Sequence, residues 1–481
     1  MKDLFKDLSE NAFCKKSGVC SVNPVINALD AIILNEIRQI SFYVIKLKEL
    51  GYINNGLMKE TVFNLSVNIS DTSFNKKDFL NFYTDIRNTK EKIKDFYTKK
   101  CLEKNISYEI VTFGFEEKTE NISDLIKSGE KILKHFYSNL SDEKIRLINI
   151  ILLSAKTASI DLYKLSKYDV FFYEYYFEVL RLISITNNIG TRSEKYIRRI
   201  KEFSKIKYEI KENYLNILEK TYGKVQNSYL ETTIYEGKSI FVSGGDLFEL
   251  YNLLNKIKDE KINVYTDITM FEGYIYPEFI KFKNLKGAFD SNDTESVFSN
   301  FKGPVYLTRN SNLNLDMALR GNIYTTKLIP YDKAIKINEN TVDILINAAL
   351  KSEGENKYTE GRKIPLEFNT IKTDEKIKNS KGKILVVFGE IDEKIKEKFN
   401  SYTIAEFTLP NESRNLHHIT KNFNTKNISV LFSKCSINSL DNLISILDKG
   451  YNEIYLSSCL ALIINPHITE SLQKDFNVKL I

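Results

Sequence analysis

A change of hydrophobic period near Gly237 constrains this chain more than any other feature. From Val25 to Leu50, apolar residues fall three or four apart, at Ile26, Leu29, Ile33, Ile37, Ile40, Val44 and Leu47, and Gly51 follows as a stop. That spacing lays an apolar stripe along one face of a helix. The same period runs through residues 77–99, 122–136, 142–164, 168–186 and 192–221, with no strand-type alternation of any length. The first ~230 residues therefore predict helical bundles.

Beyond Gly237 the pattern differs. Residues 239–242 form a short apolar run, Ser243-Gly244-Gly245-Asp246 reads as a turn, and residues 247–258 return to helical spacing. Residues 262–265 and 304–307 are further strands, which predicts a parallel α/β layer built by right-handed crossovers. A polar passage over residues 351–382 then suits loops around a boundary. Buried strands follow at 384–388, 428–432 and 453–456, with a helix over 440–447 and an edge strand over 477–481. A chain of 481 residues is too long for one ordinary core. The expected division is a helical-bundle domain over 1–232, a Rossmann-like α/β domain over 233–375, and a second, shortened Rossmann-like α/β domain over 376–481.

Charge and composition narrow the partners. The formal charge of +6 arises from 69 basic and 63 acidic residues interleaved along helical patterns, so no basic face with stacking aromatics marks a nucleic-acid site. The charged start Met1-Lys2-Asp3-Leu4-Phe5-Lys6-Asp7 lacks the apolar run of a signal peptide, and no stretch near ~18 apolar residues occurs. A cytoplasmic protein without a membrane span is expected. Five cysteines, Cys14, Cys20, Cys101, Cys435 and Cys459, are odd in number and dispersed, which argues for reduced thiols rather than a disulfide framework. The four histidines show no zinc spacing, and adjacent His417 and His418 read as a surface pair.

Taken as residues alone, the motifs are sparse. Gly244-Gly245 between a strand and a helix lets backbone approach an anion, but the bland reading is a tight turn, because neither a dinucleotide nor a P-loop glycine pattern surrounds it. Cys14 and Cys20 offer two thiolates where a closed zinc or iron–sulfur site needs four ligands. Cys435 and Cys459 lie near strand ends without a histidine base in sight, and read as ordinary thiols. Asp246, Asp267 and Glu272 read as solvated loop carboxylates.

Several stretches in order resemble the hybrid-cluster (prismane, hydroxylamine reductase) family. Phe13-Cys14-Lys15-Lys16-Ser17-Gly18-Val19-Cys20, with the helix ending at Leu50-Gly51, is similar to the end of that family's amino-terminal cysteine motif and the helix after it. Ser243-Gly244-Gly245-Asp246 resembles its Ser-Gly-His-Asp turn, and Asn263-Val264-Tyr265-Thr266-Asp267-Ile268-Thr269-Met270 its Asn-Val-Tyr-Thr-His-Gly-Glu-Met strand end. Gly303-Pro304-Val305-Tyr306-Leu307-Thr308-Arg309-Asn310-Ser311 resembles Gly-Pro-(apolar)₃-Thr-Ser-Asn-Cys, and the segment from Gly450 to Pro466 its last strand and helix. More distantly, the chain is similar to the carbon monoxide dehydrogenases.

The resemblance implies the fold already expected, and an iron–sulfur–oxygen cluster between domains held by a histidine, two glutamates and four cysteines. Position by position, the histidine corresponds to Gly245, one glutamate to Thr269 and one cysteine to Ser311. The Gly-Gly-Cys-Asp motif corresponds to Gly389-Glu390-Ile391-Asp392 and the Leu-Ala-Cys motif to Leu409-Pro410-Asn411. A Gln-Cys-Asn segment is missing between Asn415 and Ser429, and Lys434-Cys435-Ser436-Ile437-Asn438 replaces the helix start that bears the second glutamate. Of the amino-terminal four-cysteine cubane, only Cys14 and Cys20 have counterparts.

The expectation is a hydroxylamine reductase-like pseudoenzyme, a non-redox scaffold without the hybrid cluster. Its remnant interdomain cleft, lined by Gly245, Asp246, Asp267, Thr269, Asn310, Ser311 and Asn411, takes a small ligand or a partner. Two alternatives stand beside it. One is an iron–sulfur oxidoreductase in which Cys14 and Cys20 of two subunits of a homodimer share a four-iron cluster; the other is a regulatory subunit docking on an active homologue.

Overall fold

The computed structural model describes residues 24–69, 73–111, 121–188, 190–289, 301–311, 322–355, 361, 363–366, 370–389, 393–407, 412–433, 437–457 and 466–481. Helices fill the first part: α1 (Pro24–Glu49), α2 (Asn55–Leu65), α3 (Lys76–Glu103), α4 (Ile122–Ser138), α5 (Asp142–Ser166), α6 (Tyr173–Ser184) and α7 (Ser193–Tyr222). α1 packs against α3, α4 and α6, and its stripe Leu29, Ile33, Ile37, Ile40 and Val44 is buried as the period requires. Where α4 crosses α1, a Cβ on Gly129 would lie 2.0 Å from the Ala28 carbonyl oxygen, so the crossing needs a residue without a side chain. α1 also buries Glu36, whose carboxylate lies 3.0 Å from the equally buried Lys90 ammonium of α3.

Two helical details depart from the periodic reading. The helix expected from residue 168 starts only at Tyr173, because Asp169 adopts φ 57° and the Val170 amide turns back to the Leu165 carbonyl, closing α5. α2, absent from the periodic reading, begins at Asn54, whose side chain accepts the Leu57 amide proton at 3.0 Å.

The second part is α/β. Its strands are β1 (Ser228–Glu231), β2 (Lys238–Ser243), β3 (Ile262–Asp267), β4 (Leu285–Phe289), β5 (Val305–Leu307), β6 (Ile323–Thr325), β7 (Ile335–Lys336), β8 (Lys363–Leu366), β9 (Lys383–Phe388), β10 (Tyr402–Phe407), β11 (Ile428–Phe432), β12 (Glu453–Leu456) and β13 (Lys479–Leu480). Between them run α8 (Leu247–Ile257), α9 (Pro277–Ile280), α10 (Asp343–Lys351), α11 (Thr370–Asn379), α12 (Glu393–Lys398), α13 (Glu412–Asn422), α14 (Ile437–Ser445) and α15 (Pro466–Phe476). Six strands form a parallel sheet in the order β4-β3-β2-β5-β6-β7, and five form another in the order β10-β9-β11-β12-β13. The chain is thus an α/β multidomain fold with two parallel sheets, whose central strands β2, β9 and β11 are buried along nearly their whole length.

The polar passage over 351–382 is not all loop. β8 lies in it and pairs antiparallel with β1, Ser228 facing Leu366, and α11 follows. β8 has three exposed positions out of four, so its strand character comes from a partner far back in the chain.

The second sheet's helices dock on the helical part through buried charge. Lys207 and Lys211 of α7 both pair with Asp441 of α14, the latter at 2.5 Å, and Lys207 also donates to the Thr157 hydroxyl of α5. Arg414 of α13 pairs with Glu219 of α7 and donates to the Tyr276 hydroxyl. His417 belongs to this junction rather than to the surface. It is buried, stacks on Tyr208 with centroids 3.9 Å apart, and sets its ring nitrogens 3.0 Å from the Ser413 carbonyl and 3.1 Å from that of Tyr208. His418, on the next position of the helix, turns elsewhere to Asp374 at 2.9 Å. The expected surface pair is therefore two half-sites of packing, because the helix rotation that separates neighbours also carries one of them inward. Among the described residues, no helix is long and apolar enough to cross a membrane.

Candidate functional site

The C-terminal ends of β2, β3, β5 and β6 meet under α5, the place where an open parallel sheet gathers functional groups. β2 ends at Ser243, and the chain turns through Gly244 (φ 124°) and Gly245 (φ 70°) into Asp246, whose carboxylate caps α8 by accepting the Glu249 amide proton at 3.1 Å. A Cβ on Gly244 would lie 2.2 Å from the Thr308 hydroxyl and 2.8 Å from the Ser311 amide, so the β5 loop sits directly on the glycine backbone. On Gly245 the Cβ position is 3.4 Å from the Thr269 carbonyl oxygen and 3.8 Å from the Lys164 ammonium. The three positions aligned with the family's histidine, glutamate and cysteine, Gly245, Thr269 and Ser311, therefore converge.

Their side chains and neighbours form a closed polar set. Asp267 accepts from the Ser243 hydroxyl on one oxygen and, on the other, from the Thr269 amide at 3.1 Å and the Thr269 hydroxyl at 2.5 Å. The Ser243 and Ser311 hydroxyls lie 2.9 Å apart. Burial pushes the Asp267 carboxyl up, and these donors oppose it. Lys327, just after β6 and only 2% exposed, donates to the Ser311 carbonyl at 2.5 Å; burial, with Lys156 adding repulsion, pushes its ammonium down to about 7.

Asp246 faces a second group. Glu249, one turn along α8, is pushed up to about 7 by burial and then by the Asp246 charge, while the Tyr306 hydroxyl (2.6 Å) and the Thr326 hydroxyl (2.7 Å) donate to one of its oxygens. One oxygen of each carboxylate is buried without a hydrogen-bond partner. Arg309 stacks on the Tyr163 ring at 4.1 Å and donates to the Phe63 carbonyl at 3.3 Å, and the neighbouring Asn310 amide is buried with both polar atoms unpartnered.

Asp246 and Asp267 are thus buried, at 2% and 5% exposure, not the solvated loop carboxylates expected. Asp267 ends β3 and Asp246 follows β2 by three residues; each caps the helical turn after it, and a cap beneath a crossing helix is sealed from water. Gly245, Asp267, Thr269 and Ser311 come together; Asp246 and Asn310 flank them; Asn411, Cys14 and Cys20 lie outside the described residues, as do Cys435 and Cys459. Cys101 is a free, buried thiol on α3. Sequence reading missed Lys164, Ser243, Glu249 and Lys327. The strand-end rule applied to Cys435 and Cys459 would have found Lys327 had β6 been recognised, but a three-residue strand carries almost no periodic signal. Among the described residues, no group of three or more histidine, cysteine, aspartate or glutamate side chains is arranged to hold a metal ion.

The chain belongs to the Prismane/CO dehydrogenase family, whose profile matches residues 9–413. It is similar to hydroxylamine reductase of Halothermothrix orenii, 23% identical over an alignment of 476 residues that covers 92% of this chain and 81% of that protein. The hydroxylamine reductase of Thermosipho melanesiensis is 24% identical over an alignment of 353 residues that covers 70% of this chain and 61% of its own length. That of Zymomonas mobilis reaches 33% over a shorter stretch of 129 residues, covering 26% of this chain and 24% of the relative.

Proposed function

We propose that this chain is a non-redox member of the family, a hydroxylamine reductase-like pseudoenzyme that works as a scaffold and carries no hybrid cluster. The observation that supports this reading is the chemistry at the convergence of Gly245, Thr269 and Ser311. Iron in a sulfide cluster is held by thiolates, with imidazole or carboxylate at some positions, and here the same positions offer a hydrogen atom and two hydroxyls. The surrounding donors and acceptors already bond one another, with the Lys327 ammonium at the carbonyl of the former cysteine position. The residues present do not fit the cluster, and hydroxylamine reduction, the activity named for the relatives, is not carried over.

The retained role in this reading is binding. Asn310, Asp246 and Glu249 present buried, unpartnered polar atoms beside the convergence, which favour a small polar ligand or a partner group at the same strand ends. Cys14 and Cys20 keep a second reading in play, a four-iron cluster bridging two subunits. Anaerobic purification followed by iron and acid-labile sulfide determination and a visible spectrum separates the two. The proposal expects neither iron nor colour. About two irons per chain in a dimer supports the bridging cluster, and four or more overturns the proposal outright. Co-purification with an active homologue would instead point to a regulatory subunit.

A further inference from the structure

Away from the strand ends, the helical part holds a cavity of about 610 Å³ between the C-terminal turns of α1, the start of α2 and the middle of α3. That volume lies within the range of small-molecule sites, which are mostly apolar with a few placed polar groups. Its apolar lining is Val44, Leu47, Leu57, Met58, Ile93 and Phe96. Of these, Val44, Leu47, Met58 and Ile93 belong to the buried core, whereas Phe96 is 43% exposed at the mouth, next to Ile53 at 62%. Two large apolar side chains left in water at the rim of an apolar cavity are more than the scattered exposure normal for a surface.

The polar part of the lining is biased in sign. Lys48 and Lys92 face Glu60 alone, and neither lysine forms an ion pair with a described residue. Lys48 lies over the Phe177 ring at 3.3 Å; Lys100 lies over both the Tyr52 and Phe96 rings, at 5.0 and 5.5 Å, but pairs with Glu103 at 2.6 Å, so Lys48 and Lys92 carry the positive potential of the mouth. α2 also begins here. Asn54 occupies the Leu57 amide, and the Asn55 and Gly56 amides precede the helical ladder, so they too favour an acceptor. An apolar floor under a cationic, donor-rich rim is complementary to one kind of small molecule: an acid with an apolar body.

We propose that this cavity binds a small carboxylic acid with an unbranched apolar chain, the chain lying on Leu57, Met58, Ile93 and Phe96 and the carboxylate at the mouth beside Lys48 and Lys92. The site is separate from the strand-end convergence, so its test does not depend on whether the chain holds iron.

Methionine makes the test local, since the chain has four, Met1, Met58, Met270 and Met317, and of the two among the described residues, Met58 and Met270, only Met58 lines the cavity. With ¹³C-methyl methionine in the full chain, decanoate below its micellar concentration should shift the Met58 resonance, assigned with Met58→Leu, saturably, and leave Met270 unmoved. Decylamine, of the same chain length and opposite charge, should not displace it. Lys92→Glu, an exposed change that spares the core, should weaken decanoate by roughly two- to fivefold, the worth of one partly exposed charge pair. A Met58 resonance indifferent to decanoate, equal binding of decylamine, or unchanged affinity in Lys92→Glu would each overturn the proposal.

Discussion

At the scale of single residues, Lys327 is the most informative group. Its ammonium is buried against the Ser311 carbonyl and pushed down to about 7 from an unfolded value near 10.5. Between those two values the unfolded chain holds a proton that the folded chain has released, so stability rises with pH across the window and is lowest below it. Substituting Lys327→Met should remove this slope and stabilise the protein near neutral pH by on the order of a few kcal/mol relative to wild type. Urea unfolding of both proteins at pH 6.5, 8 and 9.5 reads the difference. Parallel pH profiles would show that the ammonium is hydrated or otherwise compensated. The same residue explains why the site was only partly legible in sequence. Gly244-Gly245, Asp267 and Ser311 stand in recognisable strand-end motifs, whereas Lys164 and Lys327 enter from a helix and a very short strand that share no motif with them.

At the scale of elements, the contact of α7 with α14 turns on one carboxylate. Burial alone would raise the Asp441 carboxyl, but Lys207 and Lys211 outweigh it and hold it well below the usual carboxylate range. Lys207 is pushed down by its own burial, and for Lys211 the carboxylates of Asp441 and Asp161 overcome that effect. Replacing Asp441 by Asn leaves two buried ammonium groups without their shared partner, and should cost about 3–5 kcal/mol in urea unfolding. By contrast, Glu470→Ala, which removes the half-exposed partner of Arg146 at 3.3 Å, should cost under about 1 kcal/mol. Equal effects of the two changes would mean that the Asp441 cluster is hydrated. Element existence was legible here from spacing: α1, α5, α7, β2, β9, β11 and β12 follow their periodic patterns to within a residue or two. The pairing of Lys207 with Asp441 was not, since the two stand on helices brought together only by the fold.

At the scale of the whole molecule, the first parallel sheet meets the helical bundle at the convergence of Gly245, Thr269 and Ser311, where protein groups already bond one another. If hydroxyls, Asp267 and Lys327 complete the packing there, then stripping adventitious metal leaves the fold intact. Thermal unfolding before and after anaerobic treatment with a strong iron chelator should give the same Tm. A marked drop would mean that metal supplies folding free energy, as it does in proteins whose site forms only with the metal bound.

The sequence alone determined the class of this protein, because hydrophobic period is a local property: helical spacing to about residue 222, then strand, turn and helix in alternation. It also determined which side chains stand at the family's ligand positions, since that depends on order along the chain. Burial and partnership were decided only by the tertiary structure. Asp246 and His417 read as surface groups until a crossing helix or a neighbouring ring covers them, and β8 becomes a strand only against β1. Whether water reaches a side chain depends on what packs over it from elsewhere in the chain, and neither composition nor local spacing carries that information.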